Sequence, residues 1–167
     1  EDLNKRLSEF DANYDNEKTS VRIEQIIGFK NAFPKDIIQN LTVHEYVLGE
    51  KAVENKKCFS WWVEFGTGKV AQMGGFASKH KLYISKKTQE YEYPKKYDSK
   101  EECFEDIKVN LVELYNIIES DDIDKFVGVD LPHNQAIKIS YLLNSEQFIP
   151  VLTKGHLNKI CRDIGIN

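Results

Sequence analysis

Between Cys58 and Tyr83 the chain reads CFSWWVEFGTGKVAQMGGFASKHKLY, and this stretch restricts the possible folds more than any other. Its opening residues alternate, so that on a strand Phe59, Trp61, Val63 and Phe65 would share one face and Cys58, Ser60, Trp62 and Glu64 the other. Gly66 and Gly68 suit a tight hairpin turn, and Gly74-Gly75 suits either a second turn or a bulge. A further strand over about Lys79–Lys86 would set His80, Leu82 and Ile84 opposite Lys79, Lys81 and Tyr83. A short fourth strand at Tyr91–Tyr93 would end at Pro94. The expectation is a small antiparallel β-meander over about residues 58–93.

The flanks read as helices. Leu3, Leu7 and Phe10 recur at helical spacing, Asp11 to Ser20 reads as a connecting loop, and Val21, Ile26, Ile27 and Lys30 form a second helical pattern ended by Phe33-Pro34. Thr42 and Glu45 have the spacing of a reciprocal capping box, predicting a short helix from Thr42 that stops at Gly49, and Glu50–Lys57 reads as a polar connector. Ser99 and Glu102 repeat the box ahead of a long amphipathic pattern carrying Phe104, Ile107, Leu111, Leu114, Tyr115 and Ile118. Asp121 and Asp122 suit the start of a short helix ending near Gly128, and an apolar segment runs from Ala136 to Leu143. Thr153 would cap a last helix bearing Leu157, Ile160, Cys161 and Ile164, stopped by Gly165. The layout predicts an α+β class, with the meander packed against N-terminal helices (1–49) and a C-terminal helical bundle (99–165) in one domain, 1–167, cut from a longer protein.

Length and composition narrow the class. A chain of 167 residues is long enough to bury a core without disulfides or metals. Three cysteines, Cys58, Cys103 and Cys161, lack CxxC pairing, which points to reduced thiols and a cytoplasmic setting. No apolar run approaches the roughly 20 residues of a membrane span. The net charge of -4 is unevenly spread: residues 66–100 hold eight lysines against three acids, leaving -9 on the remainder. An acidic body with a basic middle fits a local anion site, although solvated lysines on edge strands give the same count.

Catalytic signatures fail on spacing. Gly66-Thr67-Gly68-Lys69 lacks the earlier Gly and the following Ser or Thr of a phosphate loop, since Val63 and Val70 stand there. A metal-dependent nuclease needs converging carboxylates, and Glu64 is the only acid of the meander before Glu90. The four histidines and three cysteines lack zinc-ligand spacing, and no nucleophile elbow is present. The expectation is a non-catalytic domain without cofactor or metal. Its binding surface would be the meander, with Lys79, Lys81, Lys86 and Lys87 neutralising phosphates and His80 and Tyr83 on the same strand. Gly74 and Gly75 would allow close backbone approach, and Trp62 beside Glu64 would read a base, Glu64 accepting from an exocyclic amine. That surface requires Trp62 and Glu64 to line an open concavity.

Four ordered segments carry a family resemblance: FPKDIIQNLTVHEYVLG (Phe33 to Gly49), WVEF (Trp62 to Phe65), GGFASKHKLY (Gly74 to Tyr83) and FIPVLTKGHL (Phe148 to Leu157). Together they resemble an N-terminal region found upstream of the motor in McrB-like AAA+ ATPases and GTPases of modification-dependent restriction systems. Met73 and Phe76 depart from the more polar or smaller residues expected beside the glycine pair. The resemblance implies a specificity module that selects double-stranded DNA, methylated or unmodified. It also implies an AAA+ motor domain in the same chain and a McrC-like nuclease subunit that cuts. A second expectation is a protein-interaction or assembly module of an anti-phage defence ATPase, docking through its acidic helical body.

Overall fold

The computed structural model describes residues 16–49, 58–73, 77–163 and 165. Helix α1 spans Asn16–Ala32, α2 Lys35–Gln39, α3 Val43–Tyr46 and α4 Phe59–Trp61, which runs directly into a π-helical turn, Trp62–Gly66. A 3-10 turn, Ala77–His80, leads into strand β1 (Tyr83–Ile84), which pairs antiparallel with β2 (Tyr91–Glu92). Helix α5 follows at Lys100–Ser120, then a 3-10 turn at Ile123–Gly128, α6 at His133–Leu143 and α7 at Lys154–Asp163. The class is α+β. Among the described residues no helix is long and apolar enough to cross a membrane.

The centre of the molecule is α5. Cys103, Phe104, Ile107, Leu111, Leu114 and Tyr115 recur at three- and four-residue steps and are all buried, whereas Val109 on the opposite side is exposed. Each such side chain stabilises by roughly 1.5–3 kcal/mol when fully removed from water. The Ser99 hydroxyl accepts from the Glu102 N–H at 3.1 Å, but the Glu102 carboxylate turns to the Asp98 N–H at 2.6 Å, so only half of the expected box forms. Helix α5 packs on α2 and α6, and α6 in turn on α1. Tyr46, Phe29, Phe33 and Phe59 fill the space between them, with Phe33 edge-on to Phe59 at 5.1 Å.

Two sequence expectations change here. The connecting loop does not extend to Ser20, because α1 is already helical at Asn16. More importantly, the β-meander of 58–93 shrinks to a two-stranded hairpin: Phe59–Gly66 is helical and Lys79 and His80 lie in a 3-10 turn. Phe59, Val63 and Thr67 also recur at four-residue steps, and this face is the one buried, leaving Phe65 exposed. Cys58 caps the segment through its sulfur, 3.3 Å from the Trp61 N–H. At the other end the Thr67 N–H reaches the Trp62 carbonyl five residues back, at 3.0 Å, and its hydroxyl donates to the same oxygen at 2.9 Å. The Gly66–Lys69 stretch is therefore the end of a helix rather than a hairpin turn.

The Thr42 box forms in full, with the Glu45 carboxylate accepting from the Thr42 N–H at 2.9 Å. The helix it opens ends at Tyr46, short of Gly49. Gly49 instead meets the hairpin, with a φ of +114° and a backbone so close that a Cβ there would lie 2.7 Å from the Ile84 carbonyl oxygen. That close approach, with the Ile84 N–H donating to the Leu48 carbonyl at 3.0 Å, fastens the foot of the hairpin to the helical body.

Candidate functional site

The residues expected to form one surface fall in three different places. Glu64, on the π-helical turn, and His80, at the end of the 3-10 turn, face inwards, 6% and 0% exposed. The Glu64 carboxylate lies 3.3 Å from His80 Nε2. Lys138 of α6, fully buried, completes a charged cluster that the sequence reading did not include. Its ammonium donates to the Ala71 carbonyl at 2.6 Å, and burial pulls its pKa down to about 8 against the attraction of Glu64. Beside it, the Tyr46 hydroxyl donates to the His80 carbonyl at 2.5 Å and accepts from Gln135 at 3.1 Å. Burial pushes the Tyr46 phenol pKa well up. His80 Nδ1 and Gln135 Oε1 have no hydrogen-bond partner among the described residues. This cluster joins three elements across the core, and its carboxylate is not presented to an outside base, so the base-reading role expected of Glu64 is withdrawn.

Trp62 is likewise a packing residue. Its ring stands edge-on to Phe33 at 6.3 Å and to Trp61 at 5.9 Å, and lies so close to Gly28 that a Cβ there would sit 3.3 Å away. Alternation would have separated the two tryptophans to opposite faces. The helix instead puts them in contact, across Gly66.

The second place is a carboxylate clamp around Lys81, whose side chain is 7% exposed. Its ammonium meets Asp106 at 2.7 Å and Asp130 at 3.0 Å, and stands 5.5 Å from the centre of the Tyr97 ring. Burial alone would lower the Lys81 pKa, but hydrogen bonds to Asp106, Tyr97 and Asp130 outweigh it and raise the value. The same bonds hold both carboxyl groups below their ordinary range, against the opposing effect of burial. Lys81 is thus already neutralised and does not serve as a phosphate contact. Lys79 donates to the Met73 carbonyl. Gly74 and Gly75 lie outside the described residues.

The third place is the hairpin. Tyr83 donates to the Glu92 carboxylate, a bond that raises the phenol pKa and lowers that of the carboxyl group. At its foot lies a cavity of 310 Å³ lined by Ser78, Lys81, Tyr83, Glu92, Tyr93 and Pro132 among others. At its far end Lys86 and Lys87 are exposed, and neither ammonium has a partner among the described residues. No protein-family model, curated protein or solved structure matches the chain. Among the described residues no group of three or more His, Cys, Asp or Glu side chains is placed to hold a metal ion.

The clamp and the buried cluster show what the sequence reading missed: Asp106, Asp130, Tyr97, Gln135 and Lys138. Only Lys138 carried a signal, as a lone cation inside the apolar run Ala136–Leu143.

Proposed function

We propose that this chain is a non-catalytic DNA-recognition domain, the specificity module of a McrB-like restriction ATPase or GTPase, and that it meets duplex DNA through the hairpin. One observation carries the reading: in a protein of net charge -4, Lys86 and Lys87 stand side by side on an exposed turn with no carboxylate holding them. Lysines in that state release counterions when they meet phosphates, whereas clamped ones such as Lys81 do not. The four ordered segments resembling McrB-like N-terminal regions support the same role. The motor domain of the same chain and a McrC-like nuclease are the partners this role implies.

Fluorescence anisotropy with unmodified, methylcytosine and methyladenine duplexes at two salt concentrations tests it. Wild type should lose affinity as salt rises, and the double change Lys86→Ala, Lys87→Ala should weaken binding and reduce the slope of log affinity against log salt by roughly 2. Salt-independent affinity, or an unchanged slope in the folded double variant, would refute the proposal. The assembly-module reading has an observation of its own: Ile23 and Ile27, four residues apart on α1, are each about half exposed (51% and 52%). It predicts partner binding that survives loss of both lysines.

A further inference from the structure

Resting on the DNA-recognition reading, we infer that the 83–92 hairpin enters the major groove tip first, with Gln89 reading an adenine edge and Lys86 and Lys87 holding the flanking phosphates. The hairpin is built to present its tip. Its foot is pinned by the Ile84–Leu48 backbone bond, and Lys100 at the start of α5 lies over the Tyr91 ring at 4.1 Å. The Ser85 N–H donates to the Glu90 carbonyl at 2.9 Å, and the Gln89 N–H to the Ser85 carbonyl at 2.9 Å, closing the turn. Residues 86–90 are all exposed.

Width selects the groove. Two paired strands lie about 4.8 Å apart, and with side chains on both edges the ribbon exceeds the roughly 6 Å minor groove but fits the roughly 12 Å major groove. Chemistry agrees, because the tip, Lys86-Lys87-Thr88-Gln89-Glu90, has no apolar wedge of the kind that pries open minor-groove base steps. Gln89 is the last residue of the loop, with a φ of +58°, and its amide donates one hydrogen to the Lys86 carbonyl at 3.0 Å. That bond holds one N–H and leaves the other N–H and the carbonyl oxygen without a partner among the described residues. A donor and an acceptor side by side match adenine N7 and the N6 amine.

The test uses the full chain and a duplex selected from a randomised pool. Replacing each adenine of the selected site with 7-deazaadenine removes the N7 acceptor. At one position this should cost wild type about tenfold in affinity and leave the Gln89→Ala variant unaffected, a coupling expected of a bidentate glutamine. Methyl green, which fills the major groove, should displace the protein, and netropsin, which fills the minor groove, should not. Displacement by netropsin overturns the groove assignment, and equal losses on 7-deazaadenine in both proteins overturn the Gln89 contact; either result leaves salt-dependent binding through Lys86 and Lys87 standing. If wild type binds no duplex in the salt titration, the DNA-recognition reading falls as well. Circular dichroism of each variant should match wild type, since every substituted side chain is exposed.

Discussion

Replacing Lys138 with Met should remove a pH dependence that only a buried amine can produce. In the folded chain the amine has a pKa of about 8, against an ordinary 10.5. Between those values the unfolded chain binds the extra proton, so this group makes the folded state more stable as pH rises. Each pH unit across that gap is worth ~1.4 kcal/mol, and the linkage integral from about pH 7.5 to about pH 9.5 comes to about 2 kcal/mol. Other groups titrate nearby: burial raises the Cys58 and Cys103 thiols to about 11, which lowers stability as pH climbs past the free-thiol range. The readout is therefore the difference between wild type and Lys138→Met at each pH, in which the cysteine contributions cancel. Met fills nearly the same volume but cannot donate to the Ala71 carbonyl, a loss of roughly 0.5–1.5 kcal/mol that is constant over this range because the neutral amine still donates. Urea unfolding followed by the fluorescence of Trp61 and Trp62 gives both curves. A difference that grows by about 2 kcal/mol in favour of wild type supports the buried site. A flat difference would refute it, showing that solvent reaches the amine or that Glu64 fully offsets its burial.

Gly66→Ala should destabilise by about 1–3 kcal/mol in thermal unfolding, because a Cβ would stand 2.9 Å from both the Trp61 and Trp62 rings. An unchanged melting temperature would mean the tryptophans are free to move aside. Lys81→Met should cost about 1–2 kcal/mol, the clamp being discounted for the partial exposure of Asp106 and Asp130. Duplex affinity should not change with it. The clamp's contribution in wild type is present above the ordinary carboxylate range and fades as pH falls through the lowered pKa values of Asp106 and Asp130, so the two proteins should converge in acid.

Some of the fold was legible because local signals agreed with the tertiary outcome. The stripe of α5 has one period only, and Thr42 with Glu45 satisfies the first turn of α3 within four residues of chain. The Phe59–Gly66 segment was not legible for the opposite reason. With apolar residues at 59, 61, 62, 63 and 65, it fits a period of two and a period near four equally well. Packing of Phe59 and Val63 against Phe29, Phe33 and Tyr46 decided between them. The basic middle was visible as a count, but the fate of each lysine was not. Lys81 finds Asp106 and Asp130 across separations of 25 and 49 residues, and no local pattern records such a pairing.

The way those lysines divide separates folding from recognition. Lys81 and Lys138 are tied to the body by short bonds to carboxylates or a carbonyl, so changing either alters stability first. Lys86, Lys87 and Gln89 project from a turn whose closure depends on backbone bonds of Ser85, Gln89 and Glu90. Side chains at the tip bury almost nothing, and exposed substitutions of this kind usually change stability by no more than about 0.5 kcal/mol. A hairpin fixed at Gly49 and Ile84, whose tip lysines have no partner among the described residues, can exchange those two groups without disturbing the helices beneath. That arrangement suits the specificity role proposed for the chain. Glu64 and His80, both buried, belong to the body beneath the hairpin and not to its tip.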